Sequence, residues 1–282
     1  MRLLRFGPEG AERPGLVDAE GRIRDLSDVV VDIAGANLSP ESLARLAALD
    51  PAVLPLAPEG ARLGPCVGRV GKFVAIGLNY ADHAAEAGMA LPKEPVVFLK
   101  ATSCLSGPND DVVLPRGWTK PDWEVELGVV IGSEARYVTP EAALDHVAGY
   151  CVVNDVSERA FQVERGGTWD KGKGCDTFGP IGPWLVTRDE VPDPQALRLW
   201  LSVDGVVRQD GTTANMIFPV ADLVSYVSQF MSLQPGDIVT TGTPAGVGMG
   251  LKPEPVFLKP GEVMRLGIDG LGEQCQTVVE PI

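Results

Sequence analysis

Residues 122–132 read DWEVELGVVIG, and this stretch decides how the rest of the chain is understood. Trp123, Val125, Leu127 and Val129 alternate with Glu124, Glu126 and Gly128. Alternate side chains of an extended strand share a face, so Glu124 and Glu126 point the same way. Two like charges side by side repel, and in so apolar a strand they are costly to bury unpaired. A hard divalent cation relieves both costs, because carboxylate oxygens suit Mg²⁺, Mn²⁺ or Ca²⁺. An edge strand with a solvated glutamate face accounts for the same pattern equally well, and both readings stay open on these residues alone.

A second segment, AGYCVVNDVSER (148–159), is an apolar strand that stops abruptly at Asn154 and Asp155. Taken alone, Asn-Asp is most often a turn. Beside a paired-glutamate strand, however, Asp155 offers a third oxygen ligand. Three carboxylates with positions left open for substrate describe a Mg²⁺ or Mn²⁺ catalytic site.

Outward from these two strands, 33 glycines and 24 prolines punctuate short apolar runs along the 282 residues. Many short strands joined by turns are expected, with few helices. Strands are predicted in KFVAIGL, PVVFLK, WEVELGVVI, AGYCVVND, GPWLV, LRLWLSVDG, DIVTTG and VMRLGI. Helices are predicted over 40–49, started by Ser39 or Pro40, and over 219–231, where Pro219 suits a first turn. Residues 1–26 read as a meander turning at Asp18–Gly21. Prolines 51, 55, 58 and 65 then interrupt the chain, so a small amino-terminal α/β module over 1–68 and a main domain over 69–282 are expected. The fold class is α+β, rich in strands.

Composition limits the function. A net charge of −14 disfavours phosphate backbones, so no nucleic-acid partner is expected. Five scattered cysteines without a Cys-x-x-Cys pair argue against a disulfide framework and against a thiolate zinc site. No apolar run approaches a membrane span, and the start MRLLRFGPEG lacks a signal-peptide core, so a cytoplasmic protein with no membrane partner is expected. GTWDKGK (167–173) imitates most of a phosphate-binding loop, but Gly174 stands where Ser or Thr should hold Mg²⁺. A Gly-x-Ser-x-Gly nucleophile elbow is absent, which disfavours a serine hydrolase.

Acid–base chemistry near neutral pH points to histidine, and there are two. His83 lies in GLNYADHAAEAG (77–88), where Asn79 is a candidate cap and Gly88 a candidate stop. His83 and Glu86 are three apart and share a helix face. On residues alone a surface histidine paired with Glu86 is the better reading. His146, ahead of the aspartate strand, is assigned no chemistry.

The Glu-x-Glu strand and the strand-end aspartate, taken together, resemble the metal triad of the fumarylacetoacetate hydrolase superfamily. Further matches follow in order: Arg159 and Gln162, the lysine loop KGKGCDTFGPIGPW (171–184), LQPGDIVTTGTPAGVG (233–248) and FLKPGEVMRLGIDGLG (257–272). The resemblance covers roughly 70–278. It implies a mixed β-roll or barrel domain, a homodimer or higher homo-oligomer, and Mg²⁺ or Mn²⁺ on Glu124, Glu126 and Asp155. It makes His83 and Glu86 the water-activating pair of a lid over 77–92, with Lys173 as the third catalytic residue. Arg159, Gln162 and Thr243 become contacts of a small 2-oxo or 2,4-diketo acid. The implied reaction is hydrolysis of the C3–C4 bond of a 2,4-diketo acid, releasing pyruvate. Leu78 stands where some small acylpyruvate hydrolases carry arginine, which fits branches acting on 2,4-diketo-3-deoxy sugar acids such as the L-rhamnonate or L-fuconate derivative. The same resemblance embraces oxaloacetate-type decarboxylases and hydroxymuconate-type isomerases, and a metal-stabilised ligand-binding protein is the non-enzymatic alternative.

Overall fold

A computed structural model describes residues 1–86 and 88–281. Its largest sheet has ten strands, nine on one path. That path runs Ile23–Asp25, Arg13–Val17, Arg2–Phe6, Gly179–Thr187, Val147–Asn154, Val125–Ile131, Ile238–Thr240, Phe73–Gly77 and Val96–Lys100. A five-stranded sheet follows the order Val206–Thr212, Arg198–Val203, Val263–Ile268, Gly272–Val279 and Val112–Val113. A two-stranded ribbon pairs Pro121–Asp122 with Ser157–Glu158. The class is α+β and strand-rich, as the sequence suggests, but both sheet paths have free ends. Among the described residues the roll is open and no barrel closes.

The glutamate strand lies inside the large sheet, antiparallel to Val147–Asn154 on one side and to Ile238–Thr240 on the other. All seven residues of Val125–Ile131 are buried. A strand covered on both faces needs an almost continuous apolar sequence, which explains the run Leu127 to Ile131. This position removes the solvated-edge reading of Glu126. Regular pairing begins at Val125 rather than Trp123, because the Glu124 N–H donates to the Asn154 side chain at 3.2 Å.

The amino-terminal residues extend this same sheet, with Leu3 opposite Leu185 and Arg2 opposite Val186. Leu3, Leu16, Ile33, Leu38 and Leu46 join one hydrophobic core with Val129 and Val152. The expected turn forms around Asp18, whose Oδ1 accepts the Glu20 and Arg22 N–H groups, and Gly21 takes a φ of +79°. Ser39 caps the helix Pro40–Ala47, which stops two residues short of the expected end. The second expected helix narrows to Val220–Ser228, with Pro219 at its N-cap. No described helix is long and apolar enough to cross a membrane.

Val206–Thr212 was not marked by apolar alternation, since most of its side chains face solvent or lie half-buried. Gln209 is the buried exception, and it ties the smaller sheet to the glutamate strand. Its Oε1 accepts the Val125 N–H at 3.0 Å, and its Nε2 donates to the Thr243 hydroxyl and the Pro244 carbonyl at 2.7 and 2.9 Å. Gln209→Leu strands buried polar groups on both sides, each worth about 1–3 kcal/mol. Chemical denaturation should show a loss of at least about 2 kcal/mol, whereas an unchanged midpoint would remove Gln209 as a tie between the sheets.

Candidate active site

Strand register assembles the three expected carboxylates. Val125 lies opposite Asn154 and Glu126 opposite Val153, and the Asp155 N–H donates to the Glu124 carbonyl at 2.9 Å. Alternation then puts Glu124, Glu126 and Asp155 on one face. One oxygen of each lies within 4.8 Å of the others, and all three residues are buried.

Cations surround this cluster unevenly. Lys173 Nζ donates to Glu124 Oε2 at 2.6 Å and to Asp155 Oδ2 at 2.7 Å. Arg159 donates to Glu124 Oε1 at 2.6 Å, to Asp122 Oδ2 at 2.9 Å and to Gln162 Oε1 at 3.0 Å. Lys100 Nζ lies 2.6 Å from Asp155 Oδ1. Among the described residues no cation pairs with Glu126, which accepts the Thr240 hydroxyl and the Gly242 N–H instead.

The electrostatic consequences differ from one carboxyl to the next. Burial pushes Glu124 up, but the Lys173 and Arg159 charges outweigh it and hold the group well below the usual carboxylate range. Burial pushes Glu126 far above that range, and repulsion from Asp155 and Glu124 adds to the rise. Glu124, Asp155 and Asp122 balance Lys173, Lys100 and Arg159, so Glu126 is the carboxyl left over.

Two observations show that these residues fit a divalent ion. Asp155 Oδ1 is buried beside the Lys100 ammonium but accepts no aligned hydrogen bond. Glu126 lacks any cation of its own. The donor set is all carboxylate oxygen, which suits Mg²⁺ or Mn²⁺ rather than a softer metal.

Asp122 holds the neighbouring glycine-rich loop, accepting the Gly248 and Met249 N–H groups at 2.7 and 3.0 Å. The short helix Ala81–Glu86 rests on the same loop. There His83 Nδ1 lies 3.3 Å from Glu86 Oε2, and both Glu86 oxygens accept the Gly246 N–H at 3.0 and 3.1 Å. A Cβ on Gly250 would stand 2.7 Å from the Glu86 carboxyl carbon, so a side chain there would displace Glu86 from its present seat. His83 lies within electrostatic range of Glu124. The lid reading of 77–92 includes position 87, which lies outside the described residues.

Asn79 does not cap the helix. Its amide accepts the Phe218 N–H and donates to the Phe218 and Thr241 carbonyls, fixing the segment against the body of the protein. The Thr243 hydroxyl donates to Val125 O at 2.8 Å and accepts from Gln209, so it braces the glutamate strand. Arg159 and Gln162 likewise brace Glu124 from within the fold. His146 meets Ser133 Oγ at 3.1 Å and has no contact with the cluster. The lysine of the imitation phosphate loop, Lys173, is committed to carboxylates.

Sequence reasoning missed Lys100, Asp122, Thr240 and Gln209. Lys100 and Asp122 had one usable signal, a charge joined directly to an apolar run.

Comparison with known proteins follows the same lines. Residues 72–279 match the family model described as fumarylacetoacetate (FAA) hydrolase C-terminal. A protein of Burkholderia ambifaria (strain MC40-6) is 68% identical over 277 residues, covering 98% of each chain. The fumarylacetoacetate hydrolase of psychrophilic Exiguobacterium antarcticum superposes with a TM-score of 0.87 at 36% identity, over 99% of each chain. Maleylpyruvate hydrolase from Sphingobium sp. SYK-6, solved with manganese(II) and pyruvate, gives 0.81 at 32% identity over 100% of each chain. A 2-hydroxyhepta-2,4-diene-1,7-dioate isomerase from Mycobacterium marinum gives 0.76 at 31% identity, over 99% of this chain and 98% of that one.

Calorimetric titration with Mn²⁺ tests the cluster. Glu124→Gln, Glu126→Gln and Asp155→Asn should each weaken binding, and unchanged affinity in all three would exclude them as ligands. Because Glu126 is raised, binding should expel its proton, and affinity should climb with pH until Glu126 is ionised in the free protein. A heat of binding that is independent of buffer ionisation would contradict this linkage.

Proposed function

The chain belongs to the fumarylacetoacetate hydrolase family, and from that premise we propose that it is a divalent-metal-dependent hydrolase cleaving the C3–C4 bond of a 2,4-diketo acid to give pyruvate and a second acid. The observation that carries this reading is the His83–Glu86 pair, held by Gly246 beside the buried three-carboxylate cluster. Decarboxylation and tautomerisation need no activated water, so a base poised to take a proton from water favours hydrolysis.

Glu124, Glu126 and Asp155 would hold the ion, Mg²⁺ or Mn²⁺. When bound, it supplies Lewis-acid polarisation of the 2-oxo acid end. Glu86 accepts the Nδ1 proton of His83, which leaves Nε2 free to take a proton from water. That water attacks C4, and the C3–C4 bond breaks with its electron pair passing to C3. Protonation at C3 completes pyruvate. Lys173, anchored on Glu124 and Asp155, places an ammonium where negative charge grows. Arg159 and Gln162 keep Glu124 in place, and Thr243 holds the strand that carries Glu126 while its loop faces the acid. With an ion held and Glu126 ionised, the cluster would carry one positive charge in excess, which would favour a substrate carboxylate.

Leu78 in place of an arginine supports a larger, hydroxylated substrate, and a 2,4-diketo-3-deoxy sugar acid such as the rhamnonate or fuconate derivative is our proposed class. The reading also makes the protein a cytoplasmic homo-oligomer, with Ala81–Glu86 acting in a lid that tightens when a 2-oxo acid binds.

His83→Ala separates the two halves of the mechanism. Pyruvate release should fall by about 10²–10⁴-fold, the usual cost of a positioned general base. Calorimetry should find Mn²⁺ and oxalate binding nearly unchanged, and Glu86→Gln should lose less activity. Near wild-type turnover in His83→Ala would reject the pair and favour the decarboxylase or isomerase reading.

A further inference from the structure

The geometry points to Lys100 as the residue that positions Asp155 and the Lys173 helix together, a role for which no motif in the chain prepares. The inference rests on the reading of Glu124, Glu126 and Asp155 as metal ligands. Lys100 is the last residue of the strand Val96–Lys100, at the free end of the large sheet, yet only 2% of it is exposed. Its ammonium lies 2.6 Å from Asp155 Oδ1 and also donates to the carbonyl oxygen of Lys173.

One cation therefore joins two elements distant in sequence. Asp155 directly follows the strand Val147–Asn154, and Lys173 ends the short helix Asp170–Lys173. Asp155 is clamped by a lysine on each oxygen, Lys100 at Oδ1 and Lys173 at Oδ2. Neighbouring contacts strengthen the seam. The Leu99 N–H donates to Asp170 Oδ1 at 3.3 Å, and a Cβ on Gly174 would stand 3.1 Å from that of Ala101. The helix thus docks against the end of the Lys100 strand.

Electrostatics alone gives this lysine the wrong sign for a metal site. A buried ammonium beside a ligand repels an incoming divalent ion, so deleting it should tighten binding if charge were its only contribution. A positioning role predicts the opposite, because residues that orient metal ligands typically cost 10–100-fold in affinity when removed, on the order of one to two decades. The direction of change decides between them.

Mn²⁺ titration of the full-length protein by calorimetry, at one pH, reads this sign. Lys100→Met, close to lysine in length, should bind Mn²⁺ about 10–100-fold more weakly than wild type. In an Asp155→Asn background the same substitution should change affinity by less than about threefold, because its effect passes through Asp155. Equal or tighter binding by Lys100→Met, or an undiminished effect in the Asp155→Asn background, would overturn the assignment. If circular dichroism shows that Lys100→Met does not fold, Lys100→Arg carries the test. Its planar fork cannot reproduce a point charge shared by two acceptors, so affinity should fall about tenfold, and wild-type affinity would overturn the proposal. Failure of wild type itself to bind Mn²⁺ would instead reject the metal reading on which the inference stands.

Discussion

Three carboxylates forced onto one buried face are the constraint from which the rest of the site follows. Antiparallel register places Glu124, Glu126 and Asp155 within 4.8 Å of one another, all of them buried. Left unpaired, such a cluster would protonate or push the strands apart. The fold answers with Lys173, Arg159 and Lys100, each fixed by further bonds, and leaves Glu126 without a paired cation among the described residues. The site is thus a rigid cluster of carboxylate oxygens, the donor type that suits a hard divalent ion.

That arrangement also explains the architecture around it. Interior placement of Val125–Ile131 supplies rigidity, since strands lie hydrogen-bonded on both sides. The glycine-rich loop after Ile238–Thr240 supplies backbone N–H groups to three acids, Glu126, Glu86 and Asp122. Glycine is required where this loop turns with Gly246 at a φ of +106° and packs on the Arg208 backbone. The same loop therefore connects the carboxylate cluster to the His83 helix.

Much of this was legible in the sequence, and for identifiable reasons. Glu124 and Glu126 two apart in an apolar run, Asp155 at an abrupt strand end, and His83 three residues before Glu86 are local patterns whose geometry follows from strand and helix periods. The residues that escaped act across long separations. Gln209 meets Val125 from another sheet, and Lys100 reaches Asp155 from a strand at the sheet's far end. No periodicity encodes such meetings. Asn79 was legible as a polar residue at a helix start, yet tertiary partners at Phe218 and Thr241 claimed it instead. The solvated-edge alternative for the glutamates fell because strand order, rather than strand sequence, decides which strands lie inside.

The central claim is that water activated at His83 cleaves a carbon–carbon bond beside the carboxylate cluster. Turnover of a 2,4-diketo acid in ¹⁸O-labelled water by the Mn²⁺-loaded protein, with products analysed by mass spectrometry, tests it most directly. The account predicts one heavy oxygen in the carboxylate of the acid released from C4, and none in the carboxylate of pyruvate. Release of carbon dioxide, or an isomer with its carbon skeleton intact, would contradict it.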